Sequence, residues 1–231
     1  MKPQTNHLHE GIIVDCKKMT ATSWHLKIKV MPPGDFDTEK ITGYVLPVLI
    51  GNSAVGPPSI RRLMLWNYDA IRHIIDLTIQ SSEDTTLAGW LGRLETGNVI
   101  QWGEPEEIVT RQLKADSYYL IGNTDALAFF YQFNRNLPFV SNVQSFIYSE
   151  HTGEFFPDID GSYPLNYHII YPFSPERVLD FFRHHFKKAA GDFVVLLAAD
   201  KGINQQFQRF LKAEWLAGEH QIKVANFDPS Y

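Results

Sequence analysis

Two stretches of this 231-residue chain gather side chains suited to holding an anionic or aromatic ligand. In Arg61-Arg62-Leu63-Met64-Leu65-Trp66-Asn67-Tyr68-Asp69, a guanidinium able to grip a phosphate as a rigid fork of donors precedes large apolar groups able to lie against a ring. Arg61 reads either as that phosphate partner or as a surface charge at a strand end. Trp66 and, further on, Trp90 read as a frame for a ring system or as core payload. In Gly122-Asn123-Thr124-Asp125, three polar side chains can meet a nucleotide phosphate or ribose, or serve as helix N-cap residues that need no ligand. Lys201 and Arg209 can attract an anionic chelate or lie as ordinary surface charges.

Other chemistries fall away. His184 and His185 are adjacent, so on a helix they project about 100° apart and cannot share a metal. His7 and His9 have no companion ligand set nearby, Lys187-Lys188 suits a helix C-terminus, and Cys16 stands alone, without a disulfide or a thiolate cage. No Ser-His-Asp or Cys-His order, P-loop or paired-carboxylate motif stands out, so no catalytic residue and no metal site is assigned. Net charge is −5 with Lys and Arg scattered, which leaves no basic stripe for nucleic acid. No run reaches the eighteen or so apolar residues of a membrane helix, and Met1 to Glu10 lacks the apolar core of a secretion signal. A reducing cytoplasm suits this composition.

The elements that must position these residues fall into two rhythms. From His9 to Val30, Ile41 to Ile50, Arg61 to Asn67, His73 to Gln80 and Asn98 to Trp102, apolar residues alternate in short runs broken by Pro, Gly and Asp. A short helix capped by Asp84 or Thr85 runs through Leu87, Trp90, Leu91 and Leu94 and stops at Gly97. Gly103-Glu104-Pro105-Glu106-Glu107 reads as a charged boundary. Beyond it strand and helix alternate: strands at Ser117 to Ile121, Asn142 to Ser149, Asp192 to Ala198 and His220 to Phe227; helices after Asn123 or Thr124, from Ser174-Pro175, and over Ile203 to Leu216. The chain therefore reads as an α+β protein of two domains. An antiparallel β-barrel occupies residues 1–108, and an α/β nucleotide-binding-like domain with a mostly parallel sheet occupies 109–231.

On these residues the chain resembles the siderophore-interacting family of the ferredoxin-reductase-like superfamily, from about His9 to about Phe227. The family's flavin strand, Arg-x-Tyr-Thr followed by a second Arg and an Asp, is similar to Arg61 to Asp69, with Leu63, Met64 and Trp66 in place of Tyr, Thr and the second Arg. Its next strand, loop and Trp-bearing helix resemble Ile75-Asp76-Leu77-Thr78-Ile79, Gln80 (a His in relatives), Thr85-Thr86 (a Gly-Pro in relatives) and Trp90. Gly97 and Gly103-x-Pro105 resemble the glycines that end the family's barrel. Gly122 to Phe129 and Ala198-Ala199-Asp200-Lys201-Gly202 resemble its two strand-to-helix turns, and Asn226-Phe227 its closing Tyr-Trp.

The resemblance implies an FAD-dependent, NAD(P)H-using reductase of ferric siderophores. Arg61, Leu63, Met64, Trp66, Gln80, Thr85, Thr86, Trp90 and Phe227 would lie around the flavin. Gly122, Asn123, Thr124, Asp125, Ala199 and Asp200 would lie around the nicotinamide nucleotide, with Lys201 and Arg209 toward the iron chelate. The simultaneous replacement of several flavin contacts supports an alternative, a homologue without flavin that binds or regulates.

Overall fold

The structure, a computed structural model, describes residues 8–31, 42–51, 59–81, 85–109 and 113–225. Two compact units divide the chain, one running through Glu107 and the other starting at Ile108.

The first unit comprises β1 (His9–Lys18), β2 (Ser23–Met31), β3 (Tyr44–Ile50), β4 (Ser59–Asp69), β5 (Ile74–Gln80), α1 (Thr85–Leu91), β6 (Val99–Trp102) and β7 (Glu106–Glu107). Among the described residues, the order β4-β5-β2-β1-β6-β3 closes by pairing of β3 with β4 into a six-stranded antiparallel barrel. Closure leaves no unpaired edge and turns alternation into an inside and an outside. Leu26, Ile28 and Val30 of β2, Leu63 and Leu65 of β4, and Ile75, Leu77 and Ile79 of β5 share the interior. Trp90 and Leu94 pack on that core from the α1 side. Gly97 turns the chain at φ +95° toward β6, and its N–H donates to Ile13 O at 2.8 Å.

The presumed boundary segment is not a bare linker. β7 pairs with Tyr44 and Val45, Gly103 N donates to Pro47 O at 2.9 Å, and Arg62 Nε lies 2.8 Å from Glu106 Oε2. Two consecutive glutamates gave no apolar alternation to betray a strand; cross-strand pairing recruits them.

The second unit comprises β8 (Ser117–Asn123), α2 (Leu127–Asn136), β9 (Asn142–Ser149), β10 (Tyr167–Ile169), α3 (Pro175–His185), β11 (Phe193–Ala198), α4 (Lys201–Glu214) and β12 (Ile222–Val224). Its sheet runs β10-β9-β8-β11-β12 with every pairing parallel. Both faces are covered, which is why β8 and β11 read as unbroken apolar runs. Tyr119, Ile121, Phe146, Val195 and Leu197 pack with Val178 and Phe182 of α3 and Phe207 and Leu211 of α4, whereas Tyr118 meets Phe133 of α2. Ser174 caps α3 by accepting from Arg177 N at 3.2 Å, ahead of Pro175 at the first turn.

The short strand β10 escapes a reading by periodicity because three residues carry too little pattern. It nevertheless holds His168, whose Nε2 is buried without a hydrogen-bond partner among the rings of Phe146 and Phe181. Burial, and then the neighbouring His185, hold the His168 pKa below its ordinary value. The unfolded chain therefore takes up this proton first as pH falls. The stability contributed by neutral His168 is complete above about pH 6.5 and is lost as pH drops through the folded-state value. Melting temperatures measured from pH 7.5 downward should fall in this window, and His168→Phe should flatten that fall. An unchanged slope would mean other groups set it.

Candidate functional site

Strand β4 carries the first candidate set. Its antiparallel register to β5 slips at Trp66: Leu65 sits opposite Leu77, Asn67 sits opposite Asp76, and Trp66 is the extra residue of a bulge. Bulges re-aim side chains. On the interior face Leu63 is 4% exposed and belongs to the barrel core. On the opposite face Met64, Thr78 and His25 form a row across β4, β5 and β2. Met64 is 6% and Trp66 2% exposed, and the indole meets the His25 ring edge-on at 5.0 Å.

A polar network underlies that row. Asp76 is 3% exposed; His25 Nε2 lies 2.8 Å from its Oδ1, Asn67 Nδ2 donates to its Oδ2 at 3.1 Å, and Lys27 Nζ stands 3.8 Å away. His25 was not singled out from sequence, although a charged residue inside the otherwise apolar run of β5 signals that some partner must meet it. Arg61, half-buried near the start of β4, has its guanidinium 3.4 Å from Ile60 O. Gln80 accepts from Ser23 Oγ at 2.9 Å. Thr85 opens α1, whereas Asp84 and the closing Asn226-Phe227 lie outside the described residues.

The second set gathers where the parallel sheet reverses direction of growth, between β8 and β11, the place where open α/β sheets collect ligands at their carboxyl ends. Gly122 pairs with Ala198, so Asn123, Thr124 and Asp125 leave the sheet beside Ala199 and Asp200. The expected helix cap is absent: Thr124–Ala126 form a 3-10 turn before α2, Asn123 makes no side-chain capping bond, and its Nδ2 lies 3.4 Å from Asp125 Oδ2. Ala199 is bound at both backbone groups by buried Asn204, which accepts from its N–H at 3.2 Å and donates to its carbonyl at 2.6 Å. The polar face of α4 concealed Asn204 in the sequence. Helix α4 begins two residues earlier than its apolar pattern suggested, so Lys201 is its first residue. Arg209 follows about 12 Å further along the axis. Both are exposed, and the helix does not bring them together.

Tyr148, in register with Asn123 at the end of β9, was also missed. It is 1% exposed and its hydroxyl has no hydrogen-bond partner among the described residues. Burial raises its pKa, and Asp200 and Asp125 add to the effect, so the phenol stays protonated. The paired histidines are turned to the helix itself: His184 Nδ1 lies 2.6 Å from Asp180 O and His185 Nδ1 2.8 Å from Phe181 O. No cluster of His, Cys, Asp and Glu among the described residues could hold a metal ion.

These donor sets bear on the two cofactors that the sequence resemblance implies. Of the two guanidiniums on β4, Arg62 is paired with Glu106, which leaves Arg61 toward a flavin, together with the polarizable but buried pair Met64 and Trp66; Leu63 is spent on the core, and residues 63–66 carry no hydroxyl. The residues fit in charge and polarizability, on fewer contacts than the motif implies. The sheet edge fits the hydroxyl-bearing part of a nucleotide, because Tyr148 supplies an unpaired buried donor and Asp125 and Asp200 supply acceptors.

No protein-family model matches the chain, and no curated protein does. Solved structures do match. A siderophore utilization protein from T. fusca is 13% identical with a TM-score of 0.75, over 94% of this chain and 91% of that one. The siderophore-interacting protein from Acinetobacter baumannii is 14% identical at 0.76, over 96% and 90%. Phthalate dioxygenase reductase, which transfers electrons from pyridine nucleotides to a [2Fe-2S] centre, is 13% identical at 0.72, over 97% of this chain and 69% of that one. The chain has the fold of these proteins. No helix among the described residues is long and apolar enough to cross a membrane.

Proposed function

We propose that this chain is an FAD-dependent, NAD(P)H-using reductase whose electron acceptor is ferric iron held by a siderophore. The observation that carries the reading is the topology: a closed antiparallel barrel followed by a parallel sheet that reverses between β8 and β11, in the order of the siderophore-interacting proteins. When bound, the flavin supplies the redox chemistry. The chain's own part is to bind and orient. Arg61 meets the diphosphate, Met64 and Trp66 face the ring with help from Trp90 and Gln80, and Asn123 to Asp125 with Ala199 and Asp200 receive the nucleotide. Exposed Lys201 draws an anionic chelate toward α4, and Arg209 does so from further along it. The single cysteine suits a reducing cytoplasm.

The visible spectrum of the purified protein tests this directly. Flavin absorption near full occupancy is the expected result. Arg61→Ala should lose most of that flavin while Arg62→Ala, whose side chain pairs with Glu106, keeps it. Equal retention would break the assignment of Arg61.

One observation favours a second reading, a binding or regulatory protein that has lost the flavin. Leu63 faces the core, and Met64 and Trp66 are already covered by the chain's own atoms. Colourless protein that takes up no added FAD would establish that reading in place of the first.

A further inference from the structure

The carboxyl edge of the parallel sheet holds a polar group that the protein itself leaves unanswered. Tyr148 is 1% exposed and its hydroxyl meets no hydrogen-bond partner among the described residues. An unpaired buried hydroxyl is destabilising, and native proteins keep such groups where something other than the chain completes them. The register carries Tyr148 to the last residue of β8, Asn123, from which the chain continues to Asp125. Across the reversal point, Ala198 leads to Asp200, whose side chain makes no capping bond to α4.

This edge has a definite chemical character. Tyr148 is a permanent donor, since its pKa is pushed up, and Asp125 and Asp200 are acceptors close enough to contribute to that shift. Glu150 and Glu154 follow at the end of β9, Glu154 accepting from Ser149. Among the described residues, 123–125 and 148–154 contain no Lys or Arg; the nearest cation in sequence, Lys201, is exposed beyond Asp200. A vicinal diol suits such a set, because its two hydroxyls donate to the two carboxylates and one of them accepts from the phenol. A dianionic phosphate does not, because it meets carboxylates with no guanidinium to grip it.

Resting on the nucleotide half of the proposed function, we infer that this edge receives the adenosine ribose of the pyridine nucleotide, whose 2′-hydroxyl is free in NADH and phosphorylated in NADPH, with Tyr148 as donor and Asp125 and Asp200 as acceptors. The chain is thereby specific for NADH over NADPH. An acidic side chain on the ribose 2′-hydroxyl is the general physical device for that choice.

Nucleotide fluorescence titrations on the full chain, together with melting temperatures in the absence of nucleotide, test the inference. NADH should bind at least about tenfold more tightly than NADPH. Tyr148→Phe should weaken NADH by about tenfold while leaving the melting temperature unchanged or raised, since the hydroxyl has no partner within the protein to lose. Asp200→Asn should narrow the gap between the two nucleotides. Equal or tighter binding of NADPH overturns the inference and leaves the reductase reading standing. A Tyr148→Phe protein that melts lower yet binds NADH normally overturns it too, by showing the hydroxyl to be structural. Binding of neither nucleotide removes the inference and the nucleotide half of the proposed function together.

Discussion

A Gly122→Ala chain is expected to lose about 3 kcal/mol or more of stability and to express poorly, although the change adds one methyl group. A Cβ built on Gly122 would stand 2.1 Å from the carbonyl oxygen of Ala198 and 2.8 Å from Cε2 of Phe130. The first of these is backbone in the middle of a parallel sheet, held by the β8 to β11 register, so it cannot swing aside as a long side chain would. The loss is large against a total margin of about 5–15 kcal/mol. Gly202→Ala is the matched control: nothing lies within 4 Å of its Cβ, and in the first turn of α4 the same substitution should be neutral or stabilising by up to about 1 kcal/mol. Denaturant midpoints of the two variants should move in opposite directions or differ widely. Similar midpoints would show that β8 and β11 separate at little cost. The consequence for function is specific. The glycine that the resemblance places beside the nucleotide is required here by its close packing against a neighbouring strand and an aromatic ring.

Asp76→Ala is expected to cost about 2–4 kcal/mol, because it removes a buried acceptor and leaves two donors unsatisfied, at about 1–3 kcal/mol each. Two groups lose their acceptor at once, His25 Nε2 at 2.8 Å and Asn67 Nδ2 at 3.1 Å, and Asp76 is itself only 3% exposed. Lys27, 3.8 Å away and with its side chain more than a third exposed, contributes little, so Lys27→Met should change stability by less than about 0.5 kcal/mol. Chemical denaturation followed by tryptophan fluorescence measures both, and Trp66, edge-on to His25, reports the network locally. A tolerant Asp76→Ala protein would mean that water replaces the carboxylate, and the Met64 to Trp66 face would then be looser than the structure shows. The aspartate matters to the proposed function because it holds His25 and Asn67 in place beside Trp66, one of the residues proposed to face the ring.

The architecture was legible because it rests on periodicity. Leu26, Ile28 and Val30 alternate toward one face, and a closed barrel has only an inside and an outside to sort them into. The Ser174-Pro175 helix start was equally plain, since an N-cap hydroxyl and a ring with no N–H are both local chemistry. Local signals failed where a distant partner decides. Glu106 and Glu107 look like a linker until Tyr44 and Val45 pair with them. Asn123 looks like a cap, yet the 3-10 turn that follows takes its side chain to Asp125 instead.

The sequence by itself determined the class of this protein, a β-barrel unit followed by an α/β unit, because burying alternating and continuous apolar runs admits few arrangements. Which side chains remain for a ligand was decided only by tertiary structure. Leu63 went to the core, and Asn204 fixes the backbone of Ala199. Tyr148 was brought to the sheet edge with its hydroxyl unanswered among the described residues. The physical reason is that hydrogen-bond satisfaction and close packing are properties of neighbours, and neighbours distant in the chain are assigned only when it folds.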